Sequence, residues 1–193
     1  DLAVREGFLA SVAGETDRLT LLVNDLLLLS RAEAGALPPE RAPTDIALLA
    51  RERADRFAAL AAGQGCRITV EAAGDALRAG ADAHQLAQVL DNLLHNAIRH
   101  APGGGIQVTV AGDGEHVRCC VADTGCGIPP AHLPHVFERF YRVDGSRARA
   151  SGGSGLGLAI TQALIQAHGG RIEAASPAGR GAQFTFWLPR APD

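Results

Sequence analysis

Asp123-Thr124-Gly125-Cys126-Gly127-Ile128-Pro129 is the stretch on which the reading of this chain turns. An aspartate closes an alternating apolar strand, and an ionised carboxylate can only accept hydrogen bonds. The glycines that follow at 125 and 127 let the backbone turn sharply and approach a flat ring. Upstream stands Asn92-Leu93-Leu94-His95-Asn96, with two carboxamides one helical turn apart on one face. Downstream, Gly153-Ser154-Gly155-Leu156-Gly157-Leu158 opens an apolar helical run, so backbone N–H groups and the positive end of a helix dipole are offered to an anion. A base acceptor, a phosphate-facing helix start and paired carboxamides, in that arrangement, point to one nucleotide site.

Two common phosphate-binding motifs do not fit. The glycine cluster lacks the Gly-Lys-Ser/Thr of a Walker loop, and the chain has no lysine at all. It also does not lie between an early strand and its helix with an acidic ribose partner further on, as a dinucleotide fold requires. The net charge of −3 argues against a nucleic-acid surface. With 193 residues, 47% hydrophobic and 20% charged, the chain can bury a sizeable core. Its four cysteines (66, 119, 120 and 126) have no CxxC spacing, and His132 and His135 lie in a Pro-flanked loop, so a zinc site is not expected. There is no methionine and the first residue is Asp1, which suggests a piece of a longer polypeptide.

Residues 5–34 read as a helix whose seam is Phe8, Val12, Leu19, Leu22, Leu26 and Leu29, a bundle stripe. The leucine run 21–29 is interrupted by Asn24 and Asp25 and is about half the ~20 residues that a membrane span needs. Gly35 and the Pro38-Pro39 pair end the helix, and a linker follows. Further on, the spacing predicts helices over 46–60, from Asp82 as cap through the asparagine pair, and over 156–167. It predicts strands over 67–71, 106–111 and 116–123 and a closing hairpin, 171–176 with 182–188. The expected architecture is α+β, a two-layer α/β sandwich with helices on one face of a mixed, mostly antiparallel sheet.

Four ordered boxes carry a resemblance: QVLDNLLHNAIRHAP (88–102), DTGCGIP (123–129), VFERFYRVD (136–144) and GGSGLGLAI (152–160). With the closing AHGGRIEAASPAGRGAQFTFWLP (167–189), they resemble the catalytic ATP-binding domain of sensor histidine kinases. That domain belongs to a wider superfamily with gyrase, a heat-shock chaperone and the mismatch-repair ATPases. The resemblance implies a Bergerat-type fold and divides the chain into the second helix of a dimerisation hairpin (1–37), a linker (38–44) and the catalytic domain (45–190), with a lid at about 130–154. It implies ATP and Mg²⁺ as ligands. Asp123 would accept from the adenine amine, Asn96 would ligate Mg²⁺ with Asn92 in support, and Arg99 and Arg142 would neutralise phosphates. Gly153, Gly155 and Gly157 would present amides to the phosphates. His100, Gly125, Gly127, Ile128, Phe137, Ser154, Leu156 and Leu158 complete the expected ATP site, and Phe137 and Phe140 would anchor the lid.

Two departures qualify what the resemblance implies. Hydrolytic relatives carry a glutamate where this chain has Asn92, which cannot take a proton near neutral pH, so ATP would be held for transfer rather than rapid hydrolysis. None of the seven histidines has the acceptor's following acidic residue. The phosphoacceptor helix is therefore expected outside this chain, and the chain alone should not autophosphorylate. The implied whole is a membrane-anchored protein-histidine kinase, homodimeric through its hairpin, with this part on the cytoplasmic side of a bacterial inner membrane and a response-regulator receiver domain as partner. An anti-sigma-type serine kinase and a non-catalytic nucleotide-binding module are the alternative readings.

Overall fold

The computed structural model describes residues 2–74, 77–143, 154–177 and 181–192; in the first helix, side chains are described at 5, 9, 12, 14–16 and 19–32. The expected lid core (144–153, including Gly153) lies outside the described residues. The chain runs α1 (Leu2–Glu33), β1 (Ala42–Asp45), α2 (Ile46–Gly63), β2 (Arg67–Ala73), β3 (Arg78–Ala81), α3 (Ala83–His100), β4 (Gly105–Asp113), β5 (His116–Asp123), a 3₁₀ turn (Leu133–His135), α4 (Gly157–Ala167), β6 (Arg171–Ala175) and β7 (Gln183–Pro189).

The main sheet has the order β2-β4-β5-β7-β6, with β2 parallel to β4 and every other pair antiparallel. Strict alternation along β5 and β7 buries Val117, Cys119, Val121, Phe184, Phe186 and Leu188 on one face, as a sheet covered on a single side requires. Helices α2, α3 and α4 supply the cover. Helix α3 is capped by Asp82, whose Oδ1 accepts from His84 N and Gln85 N, and α2 by Asp45, which accepts from Leu48 N. Cys119 and Cys120 face opposite sides of the sheet, the first buried and the second half-exposed.

Two elements differ from the sequence reading. Residues 42–44, read as linker, form β1 with Asp45 against β3, with Thr44 Oγ1 donating to Ala81 O at 2.8 Å. The leucine stripe of α1 does not act as one seam. Leu29 is 2% exposed and, with Leu22 and Leu28, packs toward α4 and the core, whereas Val12, Leu19 and Leu26 stay 47%, 54% and 41% exposed. These are two heptad-spaced stripes, and the α/β sandwich covers one of them. No helix among the described residues is long and apolar enough to cross a membrane.

Candidate nucleotide-binding site

Strand β5 delivers Asp123 to the end of the sheet, where it is 5% exposed. Its Oδ1 accepts from Gly125 N at 2.8 Å and Ala182 N at 3.3 Å. No described residue bonds Oδ2, so one carboxylate oxygen is locked by backbone donors and the other is left to act as an acceptor. The loop that follows is held tightly. A Cβ on Gly125 would lie 2.1 Å from His100 O, and Gly127 has φ 73°. Both positions exclude a side chain, Gly125 by contact and Gly127 by backbone conformation. Ile128 packs partly against the core.

Helix α3 presents Asn92, Asn96 and Arg99 on the stripe beside its buried face, and its strong segregation of Leu86, Val89, Leu90, Leu93 and Ala97 fixes that orientation. Asn92 Nδ2 donates to Gly157 O at 3.1 Å, with Thr161 Oγ1 at 3.5 Å, which ties α3 to the start of α4. The Asn92 Oδ1 keeps its acceptor capacity. The half-buried Asn96 carboxamide makes no hydrogen bond to a described residue. Burial lowers the pKa of Arg99, and the nearby charge of Arg142 lowers it further. Two guanidiniums from separate boxes therefore stand near each other, an arrangement that an anion between them would relieve. His100 is exposed at its side chain, and its carbonyl accepts from Cys126 N at 3.4 Å.

The second glycine box closes on the F box. Phe140 N donates to Gly155 O at 2.9 Å; both residues have positive φ, 60° and 72°, and a Cβ on Gly155 would lie 2.9 Å from the Phe140 backbone. Phe140 is 57% exposed at its side chain, so its backbone rather than its ring makes the attachment. The expected aromatic anchor is Phe137 alone, which packs edge-to-face on Phe184 with centroids 6.3 Å apart. Leu156 is wholly buried and contributes its amide, which donates to Ser154 Oγ at 3.2 Å; Leu158 packs against the core. At Gly157 a Cβ would make only ordinary contact, 3.6 Å from Asn92.

Three contributors escaped sequence reading. Ser176 and Gly181, from the β6–β7 turn, brace the Asp123 loop: Ser176 Oγ accepts from Ile128 N at 2.8 Å, and a Cβ on Gly181 would lie 1.8 Å from Asp123 O. Their only sequence signal was a glycine-rich turn. Asp25 of α1 accepts from Ser154 Oγ at 3.4 Å, and burial raises its pKa against that bond; a helix read as a dimerisation element gave no hint of it.

Residues 81–192 match the family model described as histidine kinase-, DNA gyrase B- and HSP90-like ATPase. The chain is 42% identical over 173 residues to the phosphate regulon sensor protein PhoR of Pseudomonas aeruginosa, covering 89% of this chain and 39% of that protein. The crystal structure of full-length ShkA in complex with AMPPNP superposes with a TM-score of 0.85 at 33% identity, over 97% of this chain and 39% of that one. Histidine kinase ThkA in complex with response regulator protein TrrA gives 0.74 at 27% identity, over 94% and 50%. The chain spans less than two-fifths of the length of the curated relatives it matches. With the Asp123 loop, the asparagine helix and the second glycine box meeting as described, the chain belongs to the histidine kinase-, DNA gyrase B- and HSP90-like ATPase family, as a catalytic ATP-binding domain of the sensor histidine kinase type.

Proposed function

We propose that this chain is the ATP-handling part of a sensor histidine kinase, which moves the γ-phosphoryl of Mg-ATP to a histidine nitrogen on a hairpin helix outside this chain, for relay to a response-regulator aspartate. The observation that carries the reading is Asp123: a buried carboxylate with one oxygen held by two backbone amides and the other bonded by no described residue is an acceptor set for an exocyclic amine such as that of adenine. The likeness to ThkA, a histidine kinase that forms a complex with the response regulator protein TrrA, supports a receiver domain as partner.

In this reading Arg99 and Arg142 bind the phosphates, and the amides of Gly155 and Gly157 approach them at the start of α4. Gly153 would complete that loop. The residues fit magnesium: Asn96 offers a half-buried carboxamide oxygen with no competing hydrogen bond from a described residue, and hard oxygen donors are what this ion takes. Asn92 has its Nδ2 committed to Gly157 O, which leaves its oxygen for the same group. Bound with the nucleotide, the ion would neutralise charge on the β- and γ-phosphates. Asn92 has no proton-accepting role near neutral pH, so the residues at this place position ATP without activating water. Residues 1–37 serve as the second hairpin helix, 38–44 as its connection, 45–190 as the catalytic domain and about 130–154 as a lid. The full-length protein would be a homodimer through its hairpin, with this part on the cytoplasmic side of the membrane.

The test is labelling with γ-³²P-ATP. The chain alone should bind ATP without labelling itself. Adding the hairpin from its own full-length kinase should give an acid-labile, base-stable phosphohistidine. Strong self-labelling on a serine or threonine of this chain would replace the reading with a serine-kinase one.

A further inference from the structure

The loop 123–129 is fastened at both ends to one short piece of chain, the turn between β6 and β7. At its start, Asp123 N donates to Ala182 O at 2.9 Å while Ala182 N donates back to Asp123 Oδ1. Gly181 packs so closely there that its Cβ position falls 1.8 Å from Asp123 O. At the other end, Ile128 N donates to Ser176 Oγ at 2.8 Å, and that hydroxyl donates to Gly181 O at 2.7 Å. A serine hydroxyl has one proton, so these two backbone partners fix its roles: the proton goes to the Gly181 carbonyl and a lone pair receives the Ile128 amide. Between the two fastenings, Gly127 has φ 73°, and its Cβ position lies 2.8 Å from Ser176 Oγ and 3.3 Å from Gly181 O, so the loop is pressed onto the turn.

We propose that Ser176 is a positioning residue for the base-binding end of the nucleotide site. It acts through the Ile128 amide and the Gly181 carbonyl to hold the Gly125–Gly127 backbone at the height where Asp123 Oδ2 and the loop meet a flat ring together. This rests on the nucleotide-binding reading above. Without the hydroxyl, the Ile128 amide loses its acceptor and the Gly181 carbonyl its donor. Asp123 would still be tied to Ala182, so the acceptor oxygen would remain while the loop beside it could shift.

The experiment uses the 193-residue chain and its Ser176→Ala and Ser176→Thr variants, titrated with ATP, ADP and inorganic tripolyphosphate. Hydrogen exchange is followed at the Ile128 amide, with Val121 as a core reference. Ser176→Ala should weaken ATP and ADP alike by about tenfold, within the range for two lost part-buried hydrogen bonds, and speed Ile128 exchange by about the same factor. Tripolyphosphate binding and Val121 exchange should not change. Ser176→Thr, which keeps the hydroxyl, should stay within about threefold of the unsubstituted chain, less than the loss of one hydrogen bond. If the unsubstituted chain binds ATP and Ser176→Ala binds it equally well, the positioning role is wrong and the nucleotide reading stands. An equal loss for tripolyphosphate, or a Ser176→Thr loss as large as that of Ser176→Ala, also overturns it. An unsubstituted chain that binds no ATP overturns both.

Discussion

The two ends of the candidate site are built on different principles. At the proposed base-binding end, Asp123, Gly125, Ile128, Ser176, Gly181 and Ala182 form a circuit of hydrogen bonds among the described residues, save for one carboxylate oxygen. At the proposed phosphate end, Arg99 and Arg142 are like charges set near each other, and the Asn96 carboxamide has no hydrogen bond to a described residue. The first end has its geometry set by bonds within the protein; the second sets two like charges near each other, an arrangement that an arriving anion would favour. Recognition of a planar base rewards fixed geometry, whereas phosphates and their metal bring the charge that completes their own site.

The sharpest way to break this contrast is a single methyl group. Gly181→Ala puts a Cβ into Asp123 O at a position with φ 75°, so both contact and conformation oppose it. It should cost about 3 kcal/mol or more of unfolding free energy, read from urea titration. Gly157→Ala, at the phosphate end, has ordinary space and lies in a helix, where alanine is favoured by up to about 1 kcal/mol over glycine. It should leave stability unchanged or raised, and any loss of ATP affinity in it reports how closely the phosphates approach that backbone. Equal tolerance of the two substitutions would remove the distinction between the ends.

A smaller effect lies at the far end of the same helices. His168 is wholly buried at the C-terminus of α4; its Nδ1–H donates to Leu164 O at 2.8 Å, and its Nε2 accepts from Asp82 N at 3.0 Å. The second of these bonds needs the neutral ring, whereas Nδ1–H donates in either protonation state. Burial lowers its pKa from 6.5, and the charge of Arg41 adds to this, against the raising effects of the Leu164 bond and Asp82. A depressed histidine pKa contributes stability that is present above the unfolded value and lost as pH falls through the folded one. Burial alone would raise the pKa of Asp82, but the amides of Gln85, Glu40 and His84 and the His168 charge bring it below 3.8 overall, so its own contribution is lost only in a more acidic window. Unfolding free energy should therefore fall as pH drops below about 6.5, the unfolded value. His168→Gln should lower stability at neutral pH and flatten that slope. A slope unchanged in the variant would assign the effect to other groups.

Much of this was legible in the sequence, and the failures share a cause. Alternation exposed β5 and β7, the cap at Asp82 marked α3, and the asparagine stripe on α3 was separable from its leucines. Strands β1 and β3 are four residues each, too short for a periodic signal, and pair with each other across 37 residues between Thr44 and Ala81. Ser176 and Gly181 owe their importance to partners far away in sequence: 48 residues separate Ser176 from Ile128, and 59 separate Ala182 from Asp123. The period of α1 was readable, but which stripe the domain would cover depended on α4. Local chemistry is written in the sequence at the residue that performs it, whereas bracing is written only in the contact.

The most direct test of the account is calorimetry of ATP binding, with and without Mg²⁺, to the unsubstituted chain, Asp123→Asn and Asn96→Ala. In Asp123→Asn the carboxamide oxygen should stay with the amides of Gly125 and Ala182, which forces the NH₂ group into the place of Oδ2, where it meets a donor with a donor. Affinity should fall about thirtyfold whether or not magnesium is present, on the scale of a buried unmatched polar group. Asn96→Ala should keep the magnesium-free affinity and lose the increment that magnesium adds. Unchanged ATP affinity in both variants, against measurable binding by the unsubstituted chain, would contradict the assignment of the two ends.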